Sequence, residues 1–146
     1  DVTVSYLVGA EAHMASQNMS VISQPITLCS LEASASQHSG MFFSRDWIHD
    51  ILQCDVATVR ELFISGDAMQ PTLKHGDMVL VDTGRKQPSP PGLFAIFDGV
   101  TAVAKRLELA GKQLRIISDN HNYQTTLQPI DQVKILGRIV WLGRPL

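Results

Sequence analysis

From residue 56 onward the chain is a series of short β-branched runs, each stopped by glycine, proline, aspartate or asparagine. The runs are "VRELFISG", "DMVLVDTG", "GLFAIFDGVTAVAKRLEL", "QLRIISDN" and "VKILGRIVWLGRPL". Runs this short, punctuated this often, predict strands and tight turns, so the expected fold is mostly β. Helical spacing recurs at one place: in "SRDWIHDIL", Trp47, Ile48, Ile51 and Leu52 fall on one face and Ser44 is positioned as N-cap. The expected architecture is therefore a β domain with one short helix. Its 146 residues suffice for one hydrophobic core.

Two local signals add detail. Asp98-Gly99 between apolar runs predicts a two-residue hairpin turn with both residues at positive φ, which places Lys105 on the second arm. "KQPSPPG" carries Pro88, Pro90 and Pro91 and reads as a surface loop, because proline cannot donate to a ladder. The C-terminal "VKILGRIVWLGRPL" is open to two readings, an exposed edge strand suited to pairing with a second copy or a central strand of one core.

Charge and composition narrow the function classes. Twelve basic against 14 acidic residues give a formal charge of −2, which supplies no electrostatic footprint for nucleic acid. No apolar run reaches membrane-spanning length and no secretory leader is evident, so no membrane and a cytoplasmic location are expected. Cys29 and Cys54 lack metal-ligand spacing and read as buried or half-buried thiols. His13, His38, His49, His75 and His121 are scattered and read as surface residues, and no cofactor or metal is expected.

Chemistry enters through a strand position and a turn. Alternation puts Lys105 with Thr101, Val103 and Leu107, leaving Arg106 and Glu108 on the wetter side with Ala102 and Ala104. A lysine on an apolar face either snorkels out, pairs with a carboxylate, or loses hydration and with it basicity. In the last case its neutral amine is a general base that can activate a serine hydroxyl without histidine. The turn "FISGDAMQPTLKHGD" is shaped to present such a hydroxyl, yet Ala68 stands at its tip. Asp67 and Asp77, flanking it, read as side-chain caps of the turn.

These residues resemble a known family. "SGDAMQPTLKHGDMVLVD" is similar to the S-G-D-S-M-x-P-T segment of LexA-like self-cleaving repressors, and "AVAKRL" resembles their lysine-bearing strand. "FFSRDWI", "IISDNHNY" and "ILGRIVWLGRPL" fit the same pattern across residues 41–146. The resemblance implies a LexA/signal-peptidase-like β domain that acts as a Ser-Lys peptidase upon itself. Position 68 would hold the nucleophile, Lys105 would be the general base, and backbone N–H groups at Asp67 and Ala68 would form the oxyanion hole. Met69 and Pro71 would serve packing and turn geometry.

The chain departs from that pattern at Ala68, which leaves it unable to cut itself. A serine-to-alanine replacement and a natural pseudo-enzyme both fit, and the intact surrounding motif favours the former. Residues 1–40 would be linker and candidate self-cleavage region, with the bond Ala35-Ser36 preferred, Ala33-Ser34 second and Val8-Gly9 a distant third. The resemblance further implies a homodimer, a RecA filament on single-stranded DNA as co-protease during DNA damage, and operator DNA reached only through a helix-turn-helix domain absent from this chain. Other readings are a dimerisation module that never cleaves, a UmuD-like polymerase accessory subunit and a signal peptidase, the last disfavoured by the lack of a spanning segment.

Overall fold

The computed structural model describes residues 25–32 and 39–146. The strands run β1 (Pro25–Ile26), β2 (Phe43–Ser44), β3 (Val59–Phe63), β4 (Met78–Asp82), β5 (Gly92–Phe97), β6 (Ala102–Ala110), β7 (Gln113–Ile117), β8 (Thr126–Pro129) and β9 (Lys134–Gly143). A single α-helix, α1 (Arg45–Asp50), and a 3-10 turn at Ile130–Gln132 complete the described elements. The Ser44 hydroxyl accepts the Trp47 N–H at 3.2 Å, so the helix starts where its N-cap predicted. The mostly-β expectation holds. β8 escaped the sequence reading because "TLQP" is too short and polar to carry an alternating pattern.

β3 to β9 form one seven-stranded sheet in the order β3-β4-β9-β5-β6-β7-β8, with each neighbour antiparallel. β9 is therefore an interior strand flanked by β4 and β5, and the edge-strand reading of the C-terminal run is overturned. Ile135, Leu136, Ile139, Val140 and Trp141 pack, partly buried, against the sheet's apolar clusters, while Leu142 is exposed. The edges are β3 and β8, and they differ: Ser30 forms a parallel bridge with Glu61 on β3, whereas every residue of β8 is exposed.

Three apolar clusters hold the sheet. β4 is buried along its whole length because it serves two of them, Val79 and Val81 on one face and Met78 and Leu80 on the other. The second cluster carries α1 through Ile48 and a three-ring group in which Trp141 meets Phe43 and Trp47 edge-on at 5.9 and 5.7 Å. Leu28, ahead of β2, is buried in the same cluster, which fixes residues 25–32 to the body of the domain. The third, around Phe94, Leu107 and Leu114, underlies β5 to β7. Full burial of such a side chain contributes about 1.5–3 kcal/mol.

Other expectations need correction. Phe97 pairs with Ala102, so the β5–β6 connection spans residues 98–101 rather than two residues. Only Gly99 takes positive φ (101°). Asp98 instead accepts the N–H groups of Val100 and Thr101 on its carboxylate at 2.9 and 2.8 Å, and this side-chain cap stabilises a wider loop. Cys29 is exposed rather than buried, because it lies on the outer segment along β3, while Cys54 is buried. Neither face of β6 is simply wet: Ala104 packs in the central cluster and Leu107 in the third.

Candidate active site

The turn between β3 and β4 is closed at its base by backbone hydrogen bonds. Ile64 N–H donates to Asp77 C=O and Gly76 N–H donates to Ile64 C=O, both at 2.8 Å. Met69 and Leu73 sink into the central cluster, which fixes the turn's inner wall and leaves Ala68 half-buried at the tip. Gly66 at φ 80° makes the bend, and its N–H donates to Nδ1 of His75 at 3.1 Å. His75 is thus a brace across the turn, a role its sequence context did not suggest.

Asp77 anchors the same base. Its buried carboxylate accepts the Lys74 N–H at 2.7 Å and both Nε and Nη2 of Arg144, at 2.7 and 2.6 Å. The Arg144 hydrogen bonds hold the Asp77 carboxyl below the usual carboxylate range. The capping role read for Asp77 is correct, but the ion pair to the end of the chain was invisible in sequence. Among the described residues the Asp67 side chain caps no backbone N–H; its carboxylate accepts the Tyr123 hydroxyl.

Lys105 lies on β6 opposite Phe94. Its Nζ donates to Ser118 Oγ at 2.7 Å and stands 5.9 Å from the centre of the Tyr123 ring. Burial pushes the Lys105 amine below the ordinary lysine value, opposed in part by the charge of Asp98. Among the described residues no carboxylate forms an ion pair with it. The partner is a neutral hydroxyl, which orients the amine without restoring its charge preference.

One segment after β7 holds both regions. Ser118 takes the Lys105 amine, Asn120 N–H donates to Ala68 C=O at 3.0 Å, and Asn120 Nδ2 donates to Asp67 C=O at 3.0 Å. Between them, Asp119 accepts Arg106 in bidentate fashion at 2.9 and 2.8 Å and the Thr72 hydroxyl at 2.5 Å. The Arg106 bonds lower the Asp119 carboxyl's pKa. "SDNHNY" carried a turn signal in sequence, but no local pattern says which distant groups a turn will touch.

Ala68 and Lys105 line one cavity of about 760 Å³, shared with Ser65, His75, Glu32 and Thr101. The N–H groups of Asp67 and Ala68, assigned to an oxyanion hole, donate to no other described residue. Ala33, Ser34, Ala35 and Ser36 lie outside the described residues. The cavity thus holds an amine of lowered basicity, and at the tip of the turn it holds a methyl group and no hydroxyl. A hydroxyl in place of that methyl would supply a nucleophile.

The Peptidase S24-like family matches residues 31–140. Among curated relatives, the 26 kDa repressor protein of Escherichia phage HK022 is 27% identical over 64% of this chain and 46% of its own length. The LexA repressor of Pelagibacter ubique is 31% identical over 57% of this chain and 37% of its own. Repressor protein CI of Enterobacteria phage phi80 is 35% identical over 53% of this chain and 33% of its own. The chain thus spans between about a third and just under half of the length of these relatives. With a family match over most of its residues and a β fold of the expected kind, the chain belongs to the Peptidase S24-like family.

Proposed function

We propose that this chain is the autoproteolytic and dimerising C-terminal domain of a transcriptional repressor, held in an uncleavable state by Ala68. Residues 41–146 are the peptidase-like unit and residues 1–40 the linker and cleavage region. The observation that supports this best is the shared cavity: a half-buried lysine amine of lowered pKa, oriented by Ser118, opens onto the same space as the turn tip.

With serine at position 68, neutral Lys105 takes the Oγ proton as Oγ attacks a linker carbonyl carbon. The N–H groups of residues 67 and 68 stabilise the oxyanion, Lys105 returns the proton to the departing amine, and water then hydrolyses the ester. The tether supplies effective concentration, so control rests on whether the linker occupies the cavity. Ala35-Ser36 is the preferred bond, with Ala33-Ser34 second. A RecA filament on single-stranded DNA favours the occupied arrangement after DNA damage. Cleavage separates an operator-binding helix-turn-helix domain from the homodimerising one, and the loss of avidity ends repression in the cytoplasm.

The test is Ala68→Ser at increasing pH. Two fragments are expected, at a rate rising with pH through a midpoint below the ordinary lysine value of 10.5. An intact, folded chain at every pH would overturn the reading. It would favour the second one, a dimerisation module in which Ala68 is native, for which the methyl group itself is the supporting observation.

A further inference from the structure

The cavity is bordered by a piece of the chain that the mechanism above does not use. Residues 29–31 run parallel to β3: Leu31 N–H donates to Glu61 C=O at 2.8 Å, and Glu61 N–H donates to Cys29 C=O at 2.9 Å. This is strand addition to a sheet edge, which fixes direction and register but reads no side chain. The next residue, Glu32, lines the cavity and accepts the Thr101 hydroxyl on its carboxylate at 2.5 Å. Thr101 lies 69 positions away, in the β5–β6 loop.

Thr101 is not free to wander. The Asp98 carboxylate accepts its N–H at 2.8 Å, and Asp98 N–H donates to Thr101 C=O at 3.1 Å. The backbone of Thr101 is thereby fixed on both sides, and its hydroxyl faces Glu32 across the cavity mouth. The 98–101 loop is wider than a two-residue turn, and the residue that closes it is the one that touches the incoming segment.

We propose that Thr101 is a specificity-determining residue of the cavity, whose hydroxyl reads the Glu32 carboxylate and so selects an extended segment bearing an acidic side chain just ahead of the bond to be cut. The backbone pairing with Glu61 supplies general affinity for a strand, and the Thr101–Glu32 contact supplies side-chain selection and register. The occupant is the chain's own segment 29–32. Its role in cleavage rests on the proposed function; its docking does not.

The test is a double-substitution cycle in the Ala68→Ser chain. Thr101→Val and Glu32→Ala are each expected to slow self-cleavage about tenfold, the worth of one hydrogen bond to a charged group, and the two together no more than either alone. Thr101→Ser, which keeps the hydroxyl, restores the rate. A Thr101→Val loss of equal size in the Glu32→Ala chain would assign Thr101 a merely structural role and overturn the proposal, as would no loss at all. Docking is read separately in the Ala68 chain, where Thr101→Val is expected to speed amide exchange at Leu31. If Ala68→Ser never cleaves, the proposed function fails while this exchange result still decides the contact; unchanged Leu31 exchange overturns the contact itself.

Discussion

The two edges of the seven-stranded sheet are built differently. β3 has an outer segment bonded along it through Glu61, while β8 ends the sheet with all of its residues exposed, Leu127 at 53%. Both are edge strands of the seven-stranded sheet, but at β3 the outward N–H and C=O of Glu61 are taken by Cys29 and Leu31. The difference lies beneath and beside them: β3 adjoins the buried β4 and borders the cavity, whereas β8 is short, polar and ends in Pro129. Proline and brevity discourage pairing at β8, and a firm, buried neighbour makes β3 a docking edge.

The sharpest way to break this contrast is to remove the support of one edge. Leu80→Ala, in the fully buried strand next to β3, is expected to cost about 2–5 kcal/mol in urea unfolding, against a change within about 0.5 kcal/mol for Leu127→Ala on β8. Comparable losses at the two sites would mean that the edges are equally integral.

Next in size is Glu61. Its buried carboxylate accepts both the Ser39 hydroxyl, at 2.5 Å, and the Ser39 N–H, at 3.2 Å, so Glu61 holds chain on both sides of residues 33–38. Glu61→Ala is expected to destabilise by about 1–3 kcal/mol, with faster amide exchange at Ser39 than at any β8 residue relative to the parent. Equal acceleration at both edges would erase the distinction.

A smaller effect concerns Lys105. Its lowered pKa means that the folded state binds fewer protons than the unfolded state between the two values, so this residue's contribution becomes more favourable as pH rises. Lys105→Met is therefore expected to stabilise the fold at neutral pH, by an amount that shrinks as pH rises through the ordinary lysine value. Denaturation midpoints across pH 7 to 11 check this, and a constant difference would contradict it.

The smallest effect is at Asp98, whose pKa is lowered chiefly by the Thr101 and Val100 N–H groups. Its contribution is present above the ordinary carboxylate value and is lost as pH falls through the lowered one. Thr101 amide exchange, monitored down to acidic pH, should then accelerate, and Asp98→Ala should abolish that pH dependence. No acceleration would mean that the loop is closed by its backbone alone.

Much of the fold was legible because it depends on local patterns. Alternation marked β3 through β7 and β9, and Ser44 marked the start of α1. The turn at Ala68 and the strand holding Lys105 were also readable, since glycine, proline and aspartate punctuate the one and period two governs the other. What escaped were contacts between segments far apart in sequence. Arg144 on Asp77, Tyr123 on Asp67 and Thr101 on Glu32 join groups 67, 56 and 69 positions apart. The C-terminal run misled in one of its two readings because an apolar strand looks alike at an edge and in the interior.

By itself, the sequence determined strands β3 to β7 and β9, the turn with a methyl at its tip and a lysine on an apolar strand face, because each follows from propensity and spacing within a few residues. Tertiary structure alone decided that β9 lies inside the sheet, that one segment after β7 grips both Lys105 and the Ala68 turn, and which edge carries a docked chain. Those outcomes depend on strand order and on which loops meet at one end of the sheet, and no local pattern encodes either.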